Sequence, residues 1–316
     1  MNVFASSLAS ADSFFSELRW SLRTQLFAQR VFVAVTTEGF TCAWSDRGTW
    51  YWDQASWPDG STCGQGCPKL PAAMAELIAD FLLDLDIAGA RVELLLPLEM
   101  CEWRVLDHVH GCIDICDFDQ IVLQSIPWSH DSSEYYVAHA YFNEIILLVA
   151  VRRTALQSWI DVFNRADLFL QRVDWLLSAA WRGLLQQLSL KDHDFDLAWL
   201  VSHSNQDRLI LLRSGVPEVD RLMVGAKAEI ETLMSEIIRA WHGQNSRQHV
   251  LIARLSTGTI SSLKEIDFDY KTIEWIPTMQ SQLIRYDSSH LSNKGNALDP
   301  LISLGFAGLG SLATVK

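Results

Sequence analysis

Two pairs of cysteines have a spacing that can serve metal binding. Cys63 and Cys67 lie in a glycine-rich loop, and Cys112 and Cys116 lie four residues apart in a segment with a helical pattern. Four thiolates can hold a zinc ion in a tetrahedral site, but zinc sites of this kind more commonly use Cys-x2-Cys pairs in short loops. We therefore predict no bound metal and keep a zinc-stabilised chain as an alternative.

The sequence lacks the usual signatures of a catalytic nucleophile, a phosphate-binding loop and a zinc protease. The motifs Gly-x-Ser-x-Gly, Gly-x4-Gly-Lys-Ser/Thr and His-Glu-x-x-His do not occur in it. The glycine-rich segment Gly305–Gly310 does not follow a strand and open a helix in the way that a dinucleotide-binding loop requires. We therefore predict that the protein has no catalytic residues and is not an enzyme.

The composition indicates a folded protein that does not bind nucleic acid. The chain has 316 residues, of which 49% are hydrophobic and 20% charged, enough for one large or two ordinary domains. Its formal net charge of −13 opposes nucleic-acid binding, which requires a positive surface. Six cysteines are too few for a disulfide scaffold, and the start of the chain lacks the pattern of an export signal. We therefore predict a cytoplasmic protein with reduced thiols.

The elements that must position any site form an internal repeat. Its first copy begins at Val31 with three short strands, VFVAVT, GFTCAW and GTWYWD, separated by turn residues. A helix at roughly Pro71–Asp86 and the strand ARVELLLP follow. Apolar residues recur in the helix at the three-and-four spacing that places them on one face: Met74, Leu77, Ile78, Phe81, Leu82 and Leu85.

The second copy of the repeat begins at Phe195. Its strands are FDLAWLVS, DRLILLRS and VPEVDRLMV, and the strand HVLIARL closes it. The helix Lys227–His242 again has one apolar face: Ile230, Leu233, Met234, Ile237, Ile238 and Trp241. Three meandering strands, a helix and a further strand, used twice, are the plan of the actin-like fold. We therefore predict an α/β protein with an actin-like (FtsA-like) fold, duplicated βββαβ halves and an inserted α+β subdomain.

The segment between the two copies, residues 120–188, has an order of elements that resembles a known family. It reads LQSIPW, then a hairpin (YYVAHAYF, NE, IILLVAV), then an amphipathic helix, one strand and a second apolar helix. This order resembles the middle of PilM, the actin-like type IV pilus assembly protein; the cytoplasmic part of GspL and FtsA share the plan. The resemblance divides the chain into an N-terminal helix (1–30), a first actin-like half (31–100), an inserted subdomain (101–172), a connecting helix (173–194) and a second half (195–316).

The resemblance also implies where a nucleotide site would lie. In the actin-like fold, a hairpin turn in each half binds the phosphates of ATP, and an Asp-x-Gly at each turn supplies an acid for Mg²⁺ and a glycine for close backbone approach. The first turn has Thr36 and Thr37 but no aspartate, and the second places Val201 at the acid and His203 at the glycine. We therefore predict a degenerate site, as in a pseudo-ATPase, without tightly bound ATP or another cofactor.

Three titratable residues near the second turn receive a structural interpretation. No partner carboxylate for His203 is identifiable from the sequence, which favours a histidine at a surface turn. Asp207 and Asp220 are interpreted as solvated residues of a turn and a strand end. None of the three is assigned a chemical role.

The resemblance finally implies a partner and a place in the cell. In the PilM family, the short cytoplasmic tail of PilN, a single-span inner-membrane protein, binds near the inserted subdomain. Trp103, Ile126, Pro127 and Trp128 lie in or beside the matching insertion and are the candidate contacts. We therefore predict a non-catalytic scaffold of type IV pilus, competence or secretion assembly, peripheral at the inner membrane through PilN-like and other pilus assembly proteins. The alternative is an actin-fold ATP-binding protein or ATPase with an unorthodox phosphate site.

Overall fold

The computed structural model describes most of the chain, and the described residues form two compact units. Unit 1 is built from the described residues within 1–97, 155–174 and 283–294, and unit 2 from those within 98–154, 175–282 and 295–316. The described residues are 29–62, 66–87, 89–107, 134–142, 145–187, 196–203, 206–224, 227–242, 250–255, 271–274, 283–285 and 298–311.

In each copy of the repeat, three strands, a helix and a fourth strand follow one another as the sequence predicts. The strands are β1 (Arg30–Val35), β2 (Gly39–Asp46), β3 (Thr49–Ser56), β4 (Arg91–Leu96), β5 (Cys101–Asp107), β6 (Tyr135–Phe142), β7 (Ile145–Arg152), β8 (Phe169–Trp175), β9 (Asp196–His203), β10 (Gln206–Arg213), β11 (Val216–Met223), β12 (Val250–Leu255), β13 (Lys271–Glu274) and β14 (Leu283–Arg285). The helices are α1 (Pro71–Asp84), α2 (Arg153–Arg165), α3 (Leu176–Gln187), α4 (Lys227–His242) and α5 (Pro300–Ser311).

Unit 1 is organised around a six-stranded sheet in the order β14-β3-β2-β1-β4-β8. The central strand β1 pairs antiparallel with β2 and parallel with β4, and its run Val31–Val35 is completely buried. A continuous apolar run is typical of a strand that is covered on both faces. Helix α1 buries Met74, Ile78, Phe81 and Leu82, which confirms its predicted apolar face.

Unit 2 repeats this topology in a five-stranded sheet. Its order, β11-β10-β9-β12-β13, places the first four strands as β3-β2-β1-β4 are placed in unit 1. The predicted duplication of a βββαβ unit is therefore confirmed. The apolar face of α4 packs on the sheet in a cluster of buried residues: Ala198, Leu200, Leu209, Leu211, Met223, Ile230, Met234, Ile238 and Trp241.

Helices α3 and α5 of unit 2 cross at a distance that only glycine permits. A Cβ atom at Gly308 would lie 1.8 Å from the carbonyl oxygen of Ala179, and one at Gly183 would lie 2.3 Å from that of Leu304. Both distances are far below van der Waals contact, so neither helix tolerates a side chain at the crossing. Gly183 and Gly308 thus serve helix packing.

The insertion in unit 2 contains a three-stranded antiparallel sheet in the order β5-β7-β6. The sequence predicts the hairpin β6–β7, and β5 adds to its far side. The sheet buries a small cluster formed by Tyr135, Ile146, Leu148 and Ala150.

The structure differs from two of the predicted boundaries. Residues 155–172, predicted to lie in the inserted subdomain, belong to unit 1 together with residues 173 and 174, because β8 pairs with β4 at the edge of the six-stranded sheet. The predicted connecting helix over 173–194 begins only at Leu176, since β8 continues through Asp174 to Trp175. Of the predicted N-terminal helix over 1–30, residues 1–28 lie outside the described residues, and Arg30 already belongs to β1.

Candidate functional site

The turn between β1 and β2, at the predicted first phosphate position, is closed by its own hydrogen bonds. The Thr36 hydroxyl accepts the N–H of Gly39 at 3.1 Å and that of Glu38 at 3.3 Å, and it donates to the Gly39 carbonyl at 3.1 Å. The Thr36 N–H also donates to the Gly39 carbonyl, at 2.8 Å. The hydroxyl of Thr36 therefore accepts hydrogen bonds from two backbone N–H groups. In a phosphate-binding turn, N–H groups of this kind donate to the phosphate oxygens.

Contacts from β3 and the segment after it fix this turn in place. The indole N–H of Trp57 donates to the Thr36 carbonyl at 2.9 Å, and the Thr62 hydroxyl donates to the Thr37 carbonyl at 2.6 Å. A Cβ atom at Gly39 would lie 2.2 Å from the Ala55 carbonyl oxygen, so the backbone of the turn is pressed against β3. The glycine of this turn is thus required by the neighbouring strand.

The turn at the end of β9 is organised by a histidine–aspartate pair. His203 is only 8% exposed, and its Nδ1 lies 2.9 Å from Oδ2 of Asp299. The other carboxylate oxygen, Oδ1, accepts the N–H groups of Leu301 at 2.7 Å and of Ile302 at 3.4 Å, which makes Asp299 the N-cap of α5. One carboxylate therefore connects the end of a strand to the start of the C-terminal helix.

The interpretation of His203 as a surface residue without a carboxylate partner is wrong. Its partner is 96 positions away in the sequence, so no local pattern indicates the pair. The partner itself has a sequence signal that was missed, since Asp299 is followed by Pro300, a typical N-cap and first residue of a helix. Val201, the predicted acid position, is a fully apolar core residue with 1% exposure.

The interpretation of Asp220 as a solvated strand end is also wrong. Its carboxylate accepts hydrogen bonds from Nε and Nη2 of Arg208, each at 2.6 Å, and from the indole N–H of Trp103 at 2.7 Å. Asp207 is not simply solvated either, because it accepts a hydrogen bond from the Ser202 hydroxyl. In the register of β10 and β11, Arg208 lies opposite Leu222 and Ile210 lies opposite Asp220. Arg208 and Asp220 are therefore diagonal neighbours on one face of the sheet and can form a bidentate pair.

Trp103, predicted to contact a partner, lies within this network. It is 6% exposed, and its ring meets those of Trp175 and Trp181 edge-on, with centroids 5.3 Å and 6.2 Å away. Together with Arg104 it borders a groove of about 450 Å³ between β5 and β11. Ile126, Pro127 and Trp128 lie outside the described residues, so the four proposed contacts stay a prediction.

One carboxyl beside this groove has a perturbed pKa. Partial loss of hydration raises the pKa of Glu102 on β5, and the negative charge of Asp220 acts in the same direction. The guanidinium groups of Arg104 and Arg208 oppose the rise without cancelling it. The carboxylate form of Glu102 is therefore less favourable in the folded protein than in water.

The cysteines divide into buried core residues and the pairs considered for zinc. Cys42 and Cys101 are buried, and burial raises the pKa of the Cys42 thiol well above its usual value, with Asp53 adding to the rise. Of the four residues considered for zinc, Cys67 is half-buried, whereas Cys63, Cys112 and Cys116 lie outside the described residues. Among the residues that are described, no group of three potential ligands is clustered in the way a metal site requires. The absence of a bound metal therefore stays a prediction.

In the part of the chain that the structure describes, no helix combines the length and the apolar character needed to span a membrane.

Comparisons with known proteins identify the fold. No protein-family model matches the chain, and no curated protein matches its sequence. Among solved structures it is similar to a chain of the PilM-PilN type IV pilus biogenesis complex, with 14% identity and a TM-score of 0.61, over 89% of this chain and 98% of that one. It is also similar to the cytoplasmic domain of EpsL, an inner-membrane component of the type II secretion system of Vibrio cholerae, with 10% identity and a TM-score of 0.50, over 90% of this chain and 95% of that one. The sequence-based resemblance is thereby confirmed as a resemblance of fold, and the chain is an α/β protein with the actin-like fold.

Proposed function

We propose that the protein is a non-catalytic scaffold of type IV pilus, competence or secretion assembly that binds the cytoplasmic tail of a PilN-like, single-span inner-membrane protein. The observation that carries the proposal is the similarity in fold to nearly the whole of a chain from the PilM-PilN complex. The similarity to the EpsL cytoplasmic domain supports the same class of function, since that protein is an inner-membrane component of a secretion system. Such a scaffold works in the cytoplasm and reaches the membrane through its partners.

The two hairpin turns support the view that the scaffold does not hydrolyse ATP. Binding of Mg·ATP in an actin-like fold needs free backbone N–H groups, a close-approach glycine and an acid at each turn. The Thr36 hydroxyl accepts two N–H groups of the first turn, and the second turn has a buried His203, paired with the partly buried Asp299, beside an apolar Val201. A phosphate would have to displace hydrogen bonds at the first turn before it could bind there.

The proposal is tested by calorimetric titration of the full chain with two ligands. The first is Mg·ATP, and the second is a synthetic peptide with the sequence of the cytoplasmic tail of a PilN-like protein from the same organism. A peptide of the same composition in scrambled order is the control for the second titration. We expect the native-order peptide to bind with a dissociation constant in the micromolar range, about −8 kcal/mol, and Mg·ATP to give no heat at millimolar concentration.

Each half of the proposal has its own contradicting result. Binding of Mg·ATP below millimolar concentration would favour the alternative, an actin-fold ATP-binding protein or ATPase with an unorthodox phosphate site. Equal binding of the native and scrambled peptides, or binding of neither, would contradict the proposed partner. The two titrations share one protein sample, so a misfolded preparation is excluded when either ligand binds.

A further inference from the structure

The inserted sheet β5-β7-β6 is linked covalently to elements of unit 1, but its contacts place it in unit 2. Strand β5 follows β4 after a short 3-10 turn at Leu98–Met100, and β7 continues directly into α2. Strand β4 and all but the first two residues of α2 belong to unit 1. The residues of the inserted sheet nevertheless belong to unit 2. Non-covalent contacts must therefore hold this sheet to the second copy of the repeat.

The two faces of the inserted sheet pack against different surroundings. One face contributes alternate residues of β7 to the small buried cluster: Ile146, Leu148 and Ala150. Trp103 on β5 lies opposite Val149, which alternates with these residues along β7. Because directly paired residues share a face and successive residues alternate, the Trp103 side chain lies on the other face. Trp103 is thus not part of the sheet's own small core.

Trp103 is buried on that other face by two tryptophans from the start of the second half. Its ring meets those of Trp175 and Trp181 at interplanar angles of 88°, the edge-to-face arrangement that aromatic pairs favour. Trp175 and Trp181 are each 2% exposed, and Trp103 is 6% exposed. Large rings that are enclosed in this way leave little space for another rotamer. The aromatic contact therefore fixes the position of β5.

A polar circuit adds direction to the aromatic contact. The Trp103 indole N–H donates to Asp220 on β11, and Asp220 accepts two hydrogen bonds from Arg208 on β10. The guanidinium of Arg208 in turn lies 5.6 Å from the centroid of the Trp175 ring. The side chains of Arg208 and Asp220 are only 17% and 18% exposed, so water competes little for these charge-assisted bonds. Each of the four residues contacts two of the others.

A further hydrogen bond connects the same tryptophans to the five-stranded sheet. The indole N–H of Trp181 on α3 donates to the carbonyl of Gly215 at 3.0 Å. Gly215 lies in the turn between β10 and β11, the two strands that supply Arg208 and Asp220. Strand β5 is therefore anchored both to the strands of the second copy and to the turn that joins them.

We propose that Trp103, Trp175, Arg208 and Asp220 form a rigid joint, and that this joint makes the inserted sheet move as one body with the five-stranded sheet. Trp175 is also the residue at which the chain passes from unit 1 to unit 2 after β8. A change in orientation of the inserted sheet is therefore transmitted to β10 and β11. The inference does not depend on the proposed function or on the identity of a partner.

The joint is tested by backbone N–H residual dipolar couplings, measured on the weakly aligned full chain. We expect one alignment tensor to fit the couplings of β5–β7 and of β9–β12. In Trp103→Ala, which removes both the ring and the N–H donor, the two sheets should require separate tensors. Tyr136→Ala is the matched control, because it removes an aromatic ring that is 44% exposed on the same sheet, and one tensor should remain. A sheet that follows its covalent links would instead share the tensor of β1–β4 and not that of β9–β12, which would overturn the proposal.

Hydrogen exchange of the indole N–H groups tests the joint without disrupting it. The Trp103 signal is assigned by its loss in Trp103→Phe. In the native chain, the indole N–H groups of Trp103 and Trp181 should exchange at rates within about threefold of each other, because their packed rings are released by the same opening. Much faster exchange at Trp103 than at Trp181 would contradict a rigid joint, and so would a shared tensor that survives in Trp103→Ala.

Discussion

The two hairpin turns occupy equivalent places in the two copies of the repeat, yet they are stabilised in different ways. The turn in unit 1 is neutral and local, since the Thr36 hydroxyl bonds residues two and three positions further along the chain. The turn in unit 2 depends on a titratable pair, His203 and Asp299, that joins residues 96 positions apart. The two turns have the same place in the topology, but their stabilising contacts differ. Those of the first turn are local in sequence, whereas those of the second turn form only in the folded chain.

The difference extends to the surroundings of each turn. Around the first turn, further support comes from the Trp57 indole and from close contact between Gly39 and the backbone of β3. Unit 2, by contrast, has a bidentate Arg208–Asp220 pair on the strands that follow its turn. Charge-assisted hydrogen bonds of this kind respond to pH and to the loss of one partner more strongly than neutral ones.

The largest expected effect is that of Gly39→Val in the first turn. The new Cβ would meet the Ala55 carbonyl 2.2 Å away, so strands β2 and β3 would have to separate locally. We expect a loss of about 3 kcal/mol in the free energy of unfolding, as for a severely overpacked site. Urea unfolding measures the loss. Gly310→Ala is the control, because a Cβ there meets nothing within 4 Å. A loss below about 1 kcal/mol for Gly39→Val would show that the turn is not fixed by its neighbour.

The next effect concerns the histidine–aspartate pair of the second turn. Asp299→Ala removes both the N-cap of α5 and the partner of His203, and we expect it to lower the free energy of unfolding by about 2 kcal/mol. Asp299→Asn keeps an N-cap oxygen and should cost less. A double-mutant cycle of Asp299→Ala with His203→Ala should give a coupling free energy of about 1 kcal/mol. Additive single effects would mean that the two side chains do not stabilise each other.

Much of the fold is predictable from local patterns in the sequence. Helix α4 begins and ends where its apolar spacing predicts, at Lys227 and His242, and the predicted hairpin β6–β7 forms as an antiparallel pair. The repeated order of strands also follows from the sequence, because both copies are bounded by turn residues. The position of β8 does not, since its place beside β4 depends on pairing across more than 70 residues.

The candidate site is less predictable, for the same reason. The absence of an acid from the two predicted phosphate turns, at Thr36 and Val201, can be read from the sequence, because it concerns single positions. The partners of His203 and Trp103 are not visible, because Asp299 and Asp220 are 96 and 117 positions away. Only the N-cap character of Asp299 before Pro300 left a local signal. Side-chain pairing over such distances follows from packing and not from periodicity.

A smaller effect is expected when the first turn loses its hydroxyl. Thr36→Val keeps the shape of the side chain but leaves the N–H groups of Glu38 and Gly39 without their acceptor. We expect a loss of about 1 kcal/mol in the free energy of unfolding, because the turn is partly accessible to water. Thr36→Ser should retain most of the stability. Calorimetry with Mg·ATP tests whether the freed N–H groups alone are enough for ATP binding. We expect no binding of Mg·ATP to Thr36→Val, because the substitution introduces no acid for Mg²⁺.

The smallest effect tests whether the charge of Glu102 contributes to the stability of the protein. Its folded-state pKa is raised, so the folded protein binds the proton more tightly than the unfolded chain does. Stability therefore falls as pH rises from the ordinary carboxyl pKa through the folded one, and the cost is fully present at neutral pH. Glu102→Gln should raise the melting temperature at pH 7.5 and leave it unchanged at pH 3.5, where both states are protonated.

A substitution at Arg104 should change the melting temperature in the direction opposite to Glu102→Gln. Arg104 lowers the pKa of Glu102, so Arg104→Gln should increase the cost of the carboxylate and lower the melting temperature at pH 7.5. In the double variant, the effect of Arg104→Gln should largely disappear, because glutamine carries no charge to stabilise. Exposed charges are screened, and we expect each change to stay within a few tenths of a kcal/mol and to shrink further in 1 M salt. Equal effects of Glu102→Gln at pH 3.5 and pH 7.5 would show that packing, and not charge, sets the contribution of this residue.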